Sequence, residues 1–197
     1  MSPYPFIPGT LLAGILVTVL LPLTFPDGGG STTLDRVVGE WVDSALGAHP
    51  GVFEALVIPS NAYILLPVLA AGCLWYARRR EWWSAGFLVV APEFAVAVNT
   101  WALKPVWHRP LQDYLAYPSG HTVHLVALAT AFVLLAQTRR LRTIEIAVSA
   151  LLLVAVAIGM VGLGYHYPTD VLGGAAAAVA LVTALYAAAE RLRRSRR

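Results

Sequence analysis

Cysteine and charge are what this chain has least of. Cys73 is the one cysteine in 197 residues, so no disulfide can form within the chain and no cysteine-rich metal site can be built. Charged residues make up only 13% and apolar residues 58%, which excludes an ordinary soluble domain. Lysine is nearly absent: Lys104 stands alone beside thirteen arginines, a usage that fits a GC-rich bacterial genome. No internal repeat is visible. The first apolar stretch lacks a basic lead-in and a small-residue cleavage site, so it reads as a retained span rather than a signal peptide.

What the chain does have is hydrocarbon-compatible sequence. A helix needs about 20 apolar residues to cross a bilayer, and six stretches approach that length: 7–25, 53–76, 82–103, 119–137, 144–165 and 169–189. The expected fold is therefore all-α, a six-transmembrane helix bundle forming one domain over 1–197. Arg78 to Arg80, Arg139, Arg140 and Arg142, and the basic tail over 190–197 follow the second, fourth and sixth stretches. Eleven of fourteen basic residues thus fall on one face, which the positive-inside rule makes cytoplasmic, together with both termini. The C-terminal arginines match anionic lipid headgroups better than nucleic acid. Between 26 and 52, Leu34, Val37, Val38, Trp41, Val42 and Leu46 recur at helical spacing with Asp35, Arg36, Glu40 and Asp43 between them. This predicts a short amphipathic helix on the outer surface. Gly173 and Gly174 suit close helix–helix contact.

Chemistry gathers at the outer ends of the spans. Lys104 and Arg109 leave the third, Ser119, Gly120 and His121 open the fourth, His166 leaves the fifth and Asp170 opens the sixth. These types suit phosphoryl transfer. A carboxylate on one ring nitrogen of His166 fixes the tautomer and supports attack by the other, and His121 can protonate the leaving oxygen. The hydroxyl of Ser119 and the amides near Gly120 at a helix start, with Lys104 and Arg109, would bind the phosphate oxygens. A zinc site at His121, His124, His166 and Asp170 is the weaker reading, because a Pro-Ser-Gly lead-in favours an anion. Elsewhere, His49 reads as a turn residue, and His124 as packing or support. His108 reads as either interfacial or a phosphate neighbour, and Glu93 and Asn99 as polar groups facing the bundle interior.

The run Pro118-Ser119-Gly120-His121 and the pair His166 and Asp170, within Gly164-Tyr-His-Tyr-Pro-Thr-Asp170, resemble the type 2 phosphatidic acid phosphatase superfamily, which includes the vanadium haloperoxidases. Its blocks are K-x6-R-P, P-S-G-H and S-R-x5-H-x3-D, and the resemblance covers 99–175. It implies a membrane lipid phosphatase on the extracytoplasmic side of a bacterial plasma membrane. It also implies a phosphohistidine on His166, protonation by His121, and neither metal nor cofactor. A polyprenyl pyrophosphate, a phosphatidylglycerol phosphate and a prenyl-phosphosugar phosphate all fit as substrate; oligomeric state is left open. Two departures stand out. The first block reads Lys104-Pro-Val-Trp-His-Arg109-Pro110, so the family's arginine position falls on Leu111. The Ser-Arg of the third block falls on Gly159 and Met160. Arg36 and His108 are the candidates to replace the missing cation. The alternatives are a phospho-headgroup transferase, or a weakened relative that binds lipid phosphate or serves as a scaffold.

Overall fold

The computed structural model describes residues 7–195; Arg196 and Arg197 of the basic tail lie outside them. Helices occupy all six predicted stretches. α1 (Ile7–Leu20) continues into a 3-10 turn to Thr24. α3 (Pro50–Val57) and α4 (Ala62–Arg78) are joined through Ile58–Ser60, and α5 spans Trp82–Val98. α7 is Gly120–Leu135, α8 Arg139–Gly162 and α9 Pro168–Ser195. Among the described residues, four segments are long and apolar enough to cross a membrane, namely Pro50–Arg78, Trp82–Trp107, Arg139–Gly162 and Pro168–Ser195; Pro8–Thr24 and Gly120–Leu135 are apolar but shorter.

α9 is the central helix, packed by α1, α5 and α7. Small residues permit this. A side chain at Gly173 would strike the Tyr117 ring, and one at Gly174 would meet the Ser119 carbonyl at 2.8 Å. Leu88, Ala91 and Ala95 of α5 and Val123, Ala127 and Ala131 of α7 recur every three or four residues and are buried, as do Ala178 and Val182 of α9. α8 shows the opposite pattern on its outer side, where Leu151 and Val154 are exposed, as suits contact with lipid.

The two ends of the bundle differ in chemistry. At one end Gln137 donates to Glu81 at 3.1 Å and Arg193 covers the Trp83 ring at 4.4 Å, so the three arginine-rich segments share that end. At the other end lie the irregular connections. α2 (Thr33–Leu46) forms where an amphipathic helix is predicted, and a capping box starts it: Asp35 N–H donates to Thr32 Oγ1 at 3.1 Å and Thr32 N–H to Asp35 Oδ2 at 2.9 Å. Leu34, Val37 and Trp41 face outward while Val42 is buried against the bundle. Asp35 departs from the predicted polar face, because it is buried toward α9.

After α5 the chain makes a π turn at Asn99–Leu103, then the short α6 (Lys104–Trp107). A two-residue hairpin follows, β1 (Pro110–Leu111) with β2 (Tyr114–Leu115), which the sequence did not announce. The π turn holds Asn99 fully buried, where its Nδ2 donates to the Pro118 carbonyl at 3.3 Å and ties α5 to the start of α7.

Candidate active site

Ser119 caps α7. Its Oγ accepts from the Thr122 hydroxyl at 3.1 Å, and its own N–H donates to the Asp170 carbonyl at 3.0 Å. The cap therefore fixes the first turn of α7 against the first turn of α9. Gly120 and His121 follow and line a cavity of about 340 Å³ with Lys104, Tyr114, Tyr165 and His166. A Cβ at Gly120 would meet Asn99 Nδ2 at an ordinary 3.9 Å. Four of the seven predicted site residues thus share one cavity.

His166 is nearly buried, and its Nδ1 lies 3.7 Å from Asp170 Oδ2. Asp170 is itself fully buried and firmly held. Oδ2 accepts the Tyr167 N–H at 2.9 Å and Oδ1 accepts Arg109 Nη1 at 2.7 Å. Nδ1 has no hydrogen-bond donor or acceptor within reach among the described residues, and a shift of a few tenths of an ångström brings it onto the carboxylate. Tyr114 stacks edge-on against the His166 ring at 6.0 Å, and its hydroxyl donates to the Tyr165 carbonyl. Burial, with the Asp170 and Asp113 carboxylates nearby, pushes that hydroxyl's pKa up, so it stays a neutral donor. Lys104 donates from Nζ to the Leu115 carbonyl, which sets the ammonium at the cavity wall.

Arg109 corrects a prediction. It was expected to grip phosphate, yet its guanidinium is buried and all five N–H donors are occupied. Nε donates to the Gly29 carbonyl at 2.9 Å. Nη2 donates to the Gly30 carbonyl at 2.8 Å and to Asp35 Oδ2 at 2.9 Å. Nη1 donates at 2.7 Å to both Thr169 Oγ1 and Asp170 Oδ1. The rings of Phe25 and Tyr167 cover it at 3.8 and 4.4 Å. Arg109 is therefore the counterion that holds Asp170, and it ties the 29–30 turn and α2 to α9. Gly29 serves this contact, because at φ +80° it brings its backbone against Arg109 and Pro110, where a Cβ would clash. Ser119 is likewise a cap with no wall in the cavity.

Asp35 and Thr169 complete the knot and were not foreseen. Asp35 Oδ1 accepts the Thr169 N–H at 2.9 Å, and Oδ2 accepts the Thr169 hydroxyl at 3.0 Å. Burial alone would raise the Asp35 pKa, but the hydrogen bonds from Thr32, Thr169 and Arg109 outweigh it and hold the carboxyl below its ordinary range. The capping box Thr32-x-x-Asp35 was the one readable signal for Asp35, and it accounts for only part of its bonds.

The other candidates lie apart. His124 Nε2 turns to Glu93 Oε1 at 3.6 Å, and the Glu93 side chain is half exposed instead of facing the interior. His108 is exposed, with φ +41°. Met160 is fully buried in the core, and only its backbone serves the site, accepting the Tyr165 N–H at 2.9 Å. Arg36 lines a second cavity of about 270 Å³ that also reaches His166, Leu111 and Gly164.

The polar end of this largely helical, apolar bundle thus sets a histidine–aspartate pair beside a second histidine and a lysine. The chain belongs to the PAP2 superfamily, whose family model matches residues 97–194. Among solved structures, the fold is similar to that of the first transmembrane PAP2 type phosphatidylglycerolphosphate phosphatase from Bacillus subtilis. The TM-score is 0.72 and the identity 18%, over 92% of this chain and 96% of that one. No curated protein sequence matches this chain significantly.

Proposed function

We propose that this protein is a membrane lipid phosphatase acting through a phosphohistidine. The observation that carries the reading is the shared cavity of Lys104, His121 and His166, with Asp170 fixed behind His166. The lipid phosphate enters with its headgroup in this cavity, and the Lys104 ammonium meets its oxygens. His166 Nε2 attacks phosphorus while Nδ1–H is held by Asp170, which stabilises the imidazolium side of the bond. As the P–O bond breaks, His121 gives its proton to the departing oxygen. Water then attacks the phosphohistidine and yields His121 its proton, which releases inorganic phosphate and restores both histidines. Nothing in these steps calls on a metal.

Our reading of the membrane placement is supported by the contrast between the two ends. With six crossings and the arginine-rich end cytoplasmic by the positive-inside rule, the cavity would face the extracytoplasmic side of the plasma membrane and both termini the inside. The polar site then lies at the lipid–water boundary, where a phosphate headgroup sits while its tail stays in hydrocarbon. Phosphatidylglycerol phosphate is the first substrate to try, because the similar solved structure is named for that activity; polyprenyl and prenyl-phosphosugar phosphates come next.

The test is phosphate release by detergent-purified protein with excess EDTA, from a panel of lipid phosphates and diphosphates, beside His166→Ala. Release that survives EDTA and vanishes in the variant supports the reading. No release from any lipid by folded protein would move the conclusion to a lipid-phosphate binder. The observation favouring that second reading is the shortage of free cations: Met160 and Leu111 stand at the family's arginine positions and Arg109 is fully engaged.

A further inference from the structure

The shortage of cations can be located. Asp35 and Asp170 are both paired with the buried Arg109, which leaves Lys104 and the protonated His121 of the proposed mechanism to meet a phosphate. One more cation stands at the site. The cavity of about 270 Å³ beside His166 is lined by Leu111, at the family's arginine position, by Gly164, and by Arg36. Arg36 lies on α2, outside the residues that the family model matches. Its guanidinium uses one donor on the Ser31 carbonyl and one on the Thr33 hydroxyl, both at 3.1 Å, and the side chain is exposed. Three of its five N–H donors are thus not engaged by these contacts. The neighbouring Asp35 carboxylate is bonded to Thr32, Thr169 and Arg109 and forms no ion pair with Arg36 among the described residues. His108, the other candidate, is not among the residues lining either cavity.

We infer that Arg36 is the phosphate-binding arginine of this protein, supplied by the surface helix α2 in place of the arginines absent at 111 and 160. The inference rests on the phosphatase reading for its meaning in turnover, and on geometry alone for binding. The forked guanidinium closes on the phosphate oxygens from the cavity whose lining it shares with His166. α2 then becomes part of the site rather than a surface ornament.

Titration calorimetry of detergent-purified full-length protein with orthovanadate and with inorganic phosphate, at fixed ionic strength, tests this directly. Wild type, Arg36→Ala and Thr33→Val are compared, with lipid-phosphate turnover measured in parallel. Arg36→Ala is expected to weaken oxyanion binding and kcat/KM by about 10- to 150-fold, the worth of a charged hydrogen bond. Thr33→Val, which removes the structural contact of Arg36, is expected to leave both within about twofold. Unchanged oxyanion binding in Arg36→Ala overturns the inference. So does an equal loss in Thr33→Val, which would make Arg36 a loop anchor. A wild type that binds vanadate through Arg36 but turns over no lipid would defeat the phosphatase reading and leave this one standing.

Discussion

Two histidine–carboxylate pairs lie in this protein at nearly the same separation, His166 with Asp170 at 3.7 Å and His124 with Glu93 at 3.6 Å. Their surroundings could hardly differ more. Asp170 is fully buried and receives bonds from Arg109 and a backbone N–H, so its charge is fixed in place and aimed. The Glu93 side chain is half exposed on a membrane helix. Equal separation does not make the two pairs alike. What distinguishes the first is the second layer that holds the carboxylate, and this layer is built from residues up to 134 positions apart, as in the bond from Thr169 to Asp35.

The comparison can be broken at its strong end first. His166→Ala is expected to abolish phosphate release, and His121→Ala to lower kcat by about 10²–10⁴-fold, the usual worth of a positioned acid–base group; a His121→Ala enzyme within tenfold of wild type would remove it as the proton donor. The kcat/KM of the wild type should be bell-shaped in pH, since attack needs neutral His166 and departure needs protonated His121. A flat profile between pH 5 and 9 would contradict that division of labour. Arg109→Ala leaves two buried carboxylates without a counterion and should destabilise the fold by about 3–5 kcal/mol. Thermal unfolding in detergent would read this, and an unchanged midpoint would show the knot to be dispensable.

A smaller effect concerns Asp35. Its folded pKa lies below the unfolded value of about 3.9. Its contribution is therefore complete above that pH and lost as pH falls through the lower folded value. Asp35→Asn should lower stability at neutral pH and reduce the loss seen on acidification; an acid limb identical to wild type would exclude Asp35 from it. The smallest change is expected at the weak pair. Glu93→Gln should leave kcat within about threefold, and a larger loss would give the second pair a role in the chemistry that its exposure argues against.

These contrasts mark what could be read in the sequence. Long apolar stretches are local signals, and helices appear at each of them, although by length and composition only four qualify as full crossings. Pro118 to His121 and the His166–Asp170 spacing are short motifs, and their histidines fall on one cavity as expected. Gly173 and Gly174 were legible as contact residues and receive Tyr117 and Ser119. Arg109 was misread because its identity and position fitted a phosphate ligand, while its partners Gly29, Gly30 and Asp35 belong to a distant loop and helix. No periodicity relates such residues; only tertiary packing brings them together. Asp35 was hidden for the same reason, since helical spacing groups it with Arg36, Glu40 and Asp43, which are exposed, while Asp35 alone of the four is buried.

The π turn at Asn99–Leu103 has a geometric meaning of its own. An α-helix advances by about 100° per residue, and one widened turn accommodates an extra residue without lengthening the rod by a full step. In a regular helix the same extra residue would turn whatever follows by about 100°. Lys104, the first residue after the widened turn, keeps its bearing because that residue is absorbed, much as a key tooth keeps its place when the cut before it is widened. A one-residue deletion there would restore a regular helix and leave the ammonium facing His166, whereas the same deletion within regular α5 would swing it by about 100°.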